Sequence, residues 1–228
     1  MQVAIVLFDG FDNLDAVGPF EVFSHARTRG ADIEVGLYTL HEQPVVTSSH
    51  GLRIQSDGVL PAPDPTEHDE RKHGGNDHDD PEHIDHDDGL PDLVVVPGGG
   101  WNAGAEPSAR TAAERGDLPA ALVTLHERGV TVASVCTGGM ILAAAGLTDG
   151  RPAGTHHGAI EDLRASGAEV VDARVVDDGD LVTAGGITAG IDLALHLLER
   201  EFGPDLAARV ADTMAYERRG EVSVRNRG

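Results

Sequence analysis

The segment that decides the fold reads VTVASVCTGGMILAAAGL, residues 130–147. Its first six residues, Val130 to Val135, are apolar or small and rich in β-branched side chains, which predicts a buried strand. The stretch from Thr137 to Ala145 is predicted as a helix that ends at Gly146. Cys136, the only cysteine of the chain, falls at the junction. A strand that runs directly into a helix is the setting of a nucleophile elbow, a strained turn that presents a reactive side chain above a sheet.

Cys136 has two interpretations at this point. Small neighbours, Ser134 two positions before it and Gly138 two positions after it, suit a turn in which the backbone folds closely on itself. The N-terminus of the following helix has free N–H groups and a positive dipole end, which lower the pKa of a thiol and stabilise developing negative charge. The alternative is a small apolar residue packed at the end of a strand. A single cysteine excludes an intramolecular disulfide.

The rest of the chain alternates strands and helices outside one acidic segment. A chain of 228 residues is long enough for one sizeable core and short for two domains, so we expect a single domain over 1–228. Strands that alternate with helices of this length predict an α/β fold with a parallel sheet covered on both faces. The expected strands are 2–8, 33–40, 93–96, 130–135, 170–176 and 181–184, the expected helices are 14–28, 108–128, 137–145, 189–202 and 205–216, and 45–47 with 52–55 form a hairpin.

The charge of the chain restricts its partners. There are 39 acidic and 17 basic residues, a formal net charge of -22. Nucleic acids and anionic membrane surfaces require a basic face, so we expect neither as a partner. Lys72 is the only lysine beside sixteen arginines, which together with the acidic excess indicates a salt-adapted surface or, alternatively, an ordinary bias in composition. The N-terminal sequence lacks the features of a secretory signal, so the expected location is the cytoplasm.

Residues 64–89 form the acidic segment. They include eleven acidic residues and five histidines and carry a net charge of -9. The segment has no hydrophobic periodicity, so we predict a mobile surface insertion within the domain. Its histidines and carboxylates suit loose binding of a divalent metal, but their spacing matches no defined structural zinc site, and we expect no metal at the functional site.

Two further motifs follow predicted strands. Pro97 and three glycines, 98–100, come directly after the strand 93–96, and glycine backbone lets N–H groups approach a ligand closely. We interpret this turn as half of an oxyanion-type site facing Cys136, with a plain strand-to-helix turn as the alternative. Asp15 begins a helix after the first strand in an apolar setting. It is either a partner of the helix dipole or a carboxyl group that exchanges a proton with Cys136.

These motifs occur together and in order, and their combination resembles a known family. The stretches are LDAVGPFEVF, VVVPGGG, VASVCTGGMILAAAGL, a THH element at 155–157 and GGITAGIDLALHLLE. They resemble the DJ-1/PfpI (ThiJ/PfpI) superfamily and, within it, isocyanide hydratases (isonitrile hydratases). The resemblance implies a flavodoxin-like three-layer α/β/α sandwich with a mainly parallel sheet, as in class I glutamine amidotransferases.

The resemblance also implies roles for single residues. Cys136 would be the nucleophile and Asp15 the general acid/base. Thr137, where protease-like members have histidine, would supply a supporting hydrogen bond. Backbone N–H groups of Gly99, Gly100 and Gly138 would line the pocket or its oxyanion site. Two further side chains are site candidates, His156 and Trp101.

Two residues near these motifs are ambiguous. A packing or capping role is favoured for His156, with a direct catalytic role as the alternative. His157 departs from the hydratase pattern, which has an aromatic residue there. Asp192 is interpreted as a helix cap or a group in the pocket wall.

The expected function is cofactor-free hydration of isocyanides to N-substituted formamides by a homodimer acting on a small-molecule substrate. One alternative is glyoxalase-, deglycase- or amidase-like chemistry on small carbonyl compounds. Another is a non-enzymatic redox or stress sensor in which Cys136 oxidises reversibly. Some family members with the GGITAGID motif are transcription regulators that carry a C-terminal helix-turn-helix domain. Because 25 residues follow Gly203, too few for that domain, we do not expect this function here.

Overall fold

The computed structural model describes residues 1–61, 89–104 and 106–225. The predicted insertion, residues 64–89, lies outside the described residues except for Gly89.

An eight-stranded sheet forms the centre of the described part of the chain. Its order is β12-β10-β11-β7-β6-β1-β2-β5, and neighbouring strands are parallel except β10 and β11, which are antiparallel. The strands are β1 (Gln2–Leu7), β2 (Glu34–Thr39), β5 (Gly58–Val59), β6 (Leu93–Val96), β7 (Thr131–Val135), β10 (Val175–Asp177), β11 (Leu181–Ala184) and β12 (Val222–Val224). Two small sheets pair β3 (Val45–Thr47) with β4 (Arg53–Gln55), and β8 (Pro152–Ala153) with β9 (Glu169–Val170).

Helices cover both faces of the sheet. They are α1 (Asn13–Thr28), α2 (Ala109–Arg115), α3 (Asp117–Glu127), α4 (Gly138–Ala144), α5 (Ile160–Ala165), α6 (Ala189–Phe202) and α7 (Pro204–Thr213). Side chains of β1 alternate between the faces: Val3 and Ile5 pack with α1, α6 and α7, whereas Ala4 and Val6 pack with α2, α3 and α4. The predicted flavodoxin-like three-layer α/β/α fold is therefore confirmed.

Two predicted elements differ from the structure. The single helix expected over 108–128 is two helices, because Gly116 adopts the left-handed conformation (φ 78°) that ends α2. The strand expected over 170–176 is divided, because Val170 pairs with β8 in a small sheet and the main-sheet strand begins only at Val175. The hairpin of β3 and β4 is confirmed.

The order of the strands determines which loops meet. The strands β1, β6 and β7 are parallel neighbours, so the segments after their carboxyl ends converge at one edge of the sheet. β2 lies on one side of β1 and β6 on the other, which makes this edge the crevice where ligands bind in doubly wound folds. The three motifs singled out above follow these three strands.

No helix in the described ranges is long and apolar enough to cross a membrane.

Asp177 ties the β10–β11 turn to α6. The side chain is buried and accepts hydrogen bonds from Gly179 N–H (2.7 Å) and the His196 ring (2.7 Å), and Arg200 Nη1 lies 3.3 Å from its Oδ2. Burial raises the pKa of Asp177, but these hydrogen bonds and the charge of Arg200 outweigh it and lower the pKa below its usual value. The ionised carboxylate therefore stabilises the folded state.

We predict that Asp177→Asn lowers the free energy of unfolding by about 1–3 kcal/mol at neutral pH, because the charge-assisted hydrogen bonds are lost. A carboxyl group whose pKa is depressed by folding contributes stability above its unfolded pKa and loses it as the pH falls. The difference between wild type and variant should therefore shrink below about pH 4. Urea unfolding at several pH values measures it, with the exposed Asp172→Asn as the control. A difference that is constant with pH contradicts the prediction.

Candidate active site

Cys136 stands in a strained turn that the surrounding backbone holds in place. Its φ is +57°, the left-handed region that non-glycine residues rarely occupy. Its N–H donates to the carbonyl oxygens of Ala184 (3.1 Å) and Gly185 (2.8 Å) at the end of β11. Its carbonyl oxygen accepts from Thr155 Oγ1 (2.9 Å) and His156 N–H (3.3 Å). A strained conformation fixed by this many hydrogen bonds matches the nucleophile elbow predicted from the sequence.

The loop after β6 packs directly on this turn. A methyl group on Gly98 would lie 2.4 Å from the Thr137 backbone nitrogen, and one on Gly138 would lie 2.2 Å from the Val96 carbonyl oxygen. Contacts of this length exclude any side chain at either position. Gly98 and Gly138 therefore allow the two backbone segments to approach each other.

Asp15 is fully buried in the first turn of α1, the helix that follows β1. Its side chain reaches the contact between the loop after β6 and the Cys136 turn. Its Oδ2 accepts a hydrogen bond from Gly98 N–H (2.9 Å). Its Oδ1 is also buried and accepts none from a nitrogen or oxygen donor in the described residues. The Cys136 thiol interacts with this carboxyl group, so the two side chains form a pair. An oxygen without a fixed donor is suited to take up and release a proton.

The environment keeps Asp15 protonated at neutral pH. Burial, the largest cause, and the charge of Asp12 raise the pKa of Asp15 to about 8. The hydrogen bonds from Gly98 and Cys136 lower the pKa but do not outweigh burial. The group can therefore donate a proton, as a general acid must.

The Cys136 thiol is protonated as well. Burial, followed by the charge of Asp15, raises the pKa of Cys136 to about 12, while the backbone N–H groups of Thr137 and Ile187 lower it. This corrects the expectation that the helix N-terminus would lower the pKa of this thiol below its ordinary value. Thr137 N–H does act on the sulfur as expected, but burial and the facing carboxyl group have the larger effect. The Cys136 thiol is therefore protonated at neutral pH, and a thiolate forms there only if another group accepts its proton.

The predicted pocket glycines have packing roles in the structure. Gly99 N–H donates to Thr137 Oγ1 (2.9 Å), so it is used inside the protein, which differs from the expectation of a donor facing the substrate. The same bond joins the elbow to the loop after β6, and the supporting role of Thr137 in a reaction stays a prediction. Gly100 adopts φ +65°, and a methyl group there would meet the Ser108 side chain at 3.0 Å.

The two further candidates, His156 and Trp101, are engaged in structural contacts. His156 Nδ1 accepts from Gly158 N–H (3.1 Å) and caps the short 3-10 turn His157–Ala159. Burial and neighbouring His157 lower its pKa. Trp101 Nε1 donates to Asp162 Oδ2 (2.7 Å) on α5, and the Arg110 guanidinium lies 4.4 Å from the centre of its ring. These contacts favour the packing and capping interpretation for His156, and a site role for Trp101 stays a prediction.

Two residues of the site were not predicted. Asp12 accepts from Leu14 N–H (3.2 Å) as the N-cap of α1, and its charge raises the pKa of both Asp15 and Cys136. An aspartate just before a predicted helix is a capping signal that could have identified it. Ile187 contributes a backbone N–H, which no pattern of side chains reveals. Across residues 1–61, 89–104 and 106–225 no three or more His, Cys, Asp or Glu side chains are grouped as metal ligands would be.

The sequence of this chain is similar to those of known proteins along most of its length. The model of the DJ-1/PfpI family matches residues 1–200. The chain belongs to the DJ-1/PfpI family. It is 33% identical to isonitrile hydratase from Pseudomonas putida over 216 residues, which cover 95% of this chain and 78% of that protein.

Two other relatives bear on the fold and the chemistry. A deglycase from Thermococcus kodakarensis is 27% identical over 81% of this chain and 89% of its own. The crystal structure of a ThiJ/PfpI family protein from Pseudomonas syringae matches 96% of this chain and 76% of that one with a TM-score of 0.73 and 23% identity. The solved structure supports the fold that this DJ-1/PfpI family member adopts.

We predict that Asp15→Asn makes Cys136 more reactive above about pH 8. Wild-type Asp15 ionises in that range, and its negative charge then opposes formation of the thiolate. The ratio of alkylation rates, variant over wild type, should therefore rise toward roughly tenfold as the pH increases, the effect of about one pKa unit. Because Cys136 is the only cysteine, mass spectrometry after iodoacetamide treatment reports it alone.

Asp9→Asn, in the loop before α1, is the matched control and should leave the ratio near one. A ratio for Asp15→Asn that does not change with pH would show that the Asp15 charge does not act on the thiol.

Proposed function

We propose that this protein hydrates isocyanides to N-substituted formamides, with Cys136 as nucleophile and Asp15 as general acid/base. The observation that carries the proposal is the buried pair of a neutral thiol and a protonated carboxyl group. An isocyanide carbon accepts a nucleophile and a proton on the same atom, so its hydration requires these two groups side by side. The similarity to isonitrile hydratase from Pseudomonas putida supports the same assignment.

The first step joins the Cys136 sulfur to the terminal carbon of the isocyanide. As the S–C bond forms, Asp15 donates its proton to that carbon and receives the thiol proton. The product is a thioformimidate, Cys136–S–CH=N–R, and the carboxyl group is protonated again. The thiol and the carboxyl group are neutral before this step, and the product is neutral after it. The raised pKa values of both groups therefore do not obstruct the step. The N–H groups of Thr137 and Ile187 stabilise negative charge on the sulfur during the transfer.

The second step is hydrolysis of this intermediate. Asp15 protonates the imine nitrogen and accepts a proton from the attacking water, which gives a tetrahedral carbon that bears sulfur, hydroxyl and nitrogen. The C–S bond then breaks, the hydroxyl proton passes through Asp15 to the departing sulfur, and R–NH–CHO is released. One water is consumed, and the thiol and the carboxyl group return to their starting forms without a redox partner or cofactor.

A second candidate is deglycase- or glyoxalase-like chemistry on a small carbonyl compound. The similarity to the deglycase from Thermococcus kodakarensis favours it, and a carbonyl carbon is also attacked by a thiol with proton transfer to oxygen. A cysteine-based redox sensor is a weaker candidate, because sensor thiols have low pKa values and are exposed, whereas Cys136 is buried and its pKa is raised.

We predict that purified protein converts an alkyl isocyanide to its formamide, measured by chromatography or infrared spectroscopy. Cys136→Ser should abolish turnover, and Asp15→Asn should reduce kcat about 10²–10⁴-fold, the contribution of general acid catalysis. Activity should decline above about pH 8, where Asp15 loses its proton. The matched control is His156→Asn, which keeps a side-chain acceptor for the 3-10 turn and should retain turnover.

Turnover near the wild-type level in Cys136→Ser or Asp15→Asn contradicts the mechanism. Methylglyoxal consumption by wild type, lost in Cys136→Ser and without isocyanide turnover, would favour the second candidate.

A further inference from the structure

Asp192 is a buried carboxylate at the start of α6 that the proposed reaction does not use. Both of its oxygens are occupied. Oδ2 accepts hydrogen bonds from Arg174 Nε and Tyr216 OH (2.7 Å), and Oδ1 accepts from Arg219 N–H (3.0 Å). Asp192 thus fixes the Arg174 side chain, which comes from the loop before β10. This arrangement accounts for the carboxylate without a role as helix cap or pocket wall.

Arg174 in turn contacts the segment 185–188 at both of its ends. Its backbone carbonyl accepts from Gly185 N–H (3.1 Å) at one end, and its Nη2 donates to Thr188 Oγ1 (2.9 Å) at the other. A planar guanidinium can bond Asp192 and Thr188 at the same time because its N–H groups point in different fixed directions. The segment is therefore held between these two contacts.

The segment 185–188 also contacts Cys136 and its surroundings. The Gly185 carbonyl accepts from Cys136 N–H (2.8 Å), and the Ile187 N–H interacts with the sulfur. Gly186 packs beside the His156 ring, since a methyl group there would lie 3.3 Å from its Cδ2. Gly190, in the first turn of α6, packs on Val135 at the end of β7. A displacement of this segment would therefore change the backbone contacts of Cys136.

We propose that Arg174 and Asp192 are positioning residues of the thiol site, which hold 185–188 so that the Ile187 N–H meets the Cys136 sulfur. The proposal rests on Cys136 being the reactive group of the proposed function, and it adds residues that do not touch the substrate. The charges of Asp15 and Asp12 also raise the pKa of the thiol, and both residues are unchanged in the variants described below.

Thr188→Val removes the acceptor for Arg174 and keeps the shape of the side chain. Thr188 is exposed, so the substitution leaves no buried polar group without a partner. Arg174→Lys keeps the charge beside Asp192, but its one nitrogen lacks the fixed fork by which Nε and Nη2 of Arg174 reach Asp192 and Thr188 separately. We expect either variant to raise the pKa of Cys136 and to slow its alkylation at about pH 8 by roughly three- to tenfold. The double variant should be no slower than either single one, because both break the same link.

Arg151→Lys is the matched control. Arg151 pairs with the buried Asp178 beside the turn that precedes β11, at the opposite edge of the sheet from Cys136. It should lower the melting temperature and leave the alkylation rate unchanged. Thr188→Val should show the reverse, a nearly unchanged melting temperature with slower alkylation. Ultraviolet titration of the thiolate should show the same shift, which separates a change in pKa from a change in access.

Wild-type alkylation rates and thiolate titrations in both Thr188→Val and Arg174→Lys would overturn the proposal, whatever their melting temperatures. The readout needs no substrate, so this result is distinguishable from a failure of the isocyanide reaction. Slower alkylation in Thr188→Val together with an absence of isocyanide turnover in wild type would support the positioning role and contradict the proposed function.

Discussion

The close approach of two backbone segments, the loop after β6 and the elbow after β7, is the constraint on which the site depends. Only a hydrogen atom fits between Gly98 and the Thr137 nitrogen, and only a hydrogen atom fits between Gly138 and the Val96 carbonyl. This contact leaves Gly98 N–H in reach of Asp15 and Gly99 N–H in reach of Thr137 Oγ1. Once these bonds are made, α1 and α4 are joined at the switch point of the sheet.

Burial then determines the chemistry. Two acidic groups placed together away from water each keep a proton, because ionising one leaves a charge that is poorly solvated and opposes ionisation of the other. A thiol in this state is a weak nucleophile by itself. In the proposed reaction, the protonated carboxyl group beside the thiol allows it to add to a carbon that gains both a sulfur and a hydrogen, and no net charge has to enter the buried site. The backbone N–H groups of Thr137 and Ile187, which lower the pKa of the thiol, would act only while the sulfur is charged.

Much of this arrangement follows from the sequence, for physical reasons. Parallel strands point their carboxyl ends to one edge, so Asp15, Gly98 and Cys136 could be placed together once their strands were recognised. The break at Gly116 was missed because the residues on both sides favour helix. β5 and β12 were missed because two or three residues carry no detectable periodicity.

The remaining site features depend on three-dimensional burial. The helix N-terminus beside Cys136 by itself predicts a lowered pKa of the thiol. Burial of the sulfur and the charge of Asp15 raise that pKa instead. Ile187 N–H approaches the thiol from a segment about fifty residues away in the chain, and a backbone donor leaves no signature in the sequence. The Arg174–Asp192 pair contacts that segment from positions that no sequence pattern connects to Cys136.

The most direct test of the account is the mass of the intermediate on Cys136. Wild-type protein mixed with an alkyl isocyanide, quenched within one turnover and analysed intact and after digestion, should carry on Cys136 an added mass equal to one whole isocyanide molecule, because addition expels nothing. Asp15→Asn should form this adduct slowly, and Cys136→Ser should not form it. Formamide production without any adduct on Cys136, or an adduct on another residue, would contradict the mechanism.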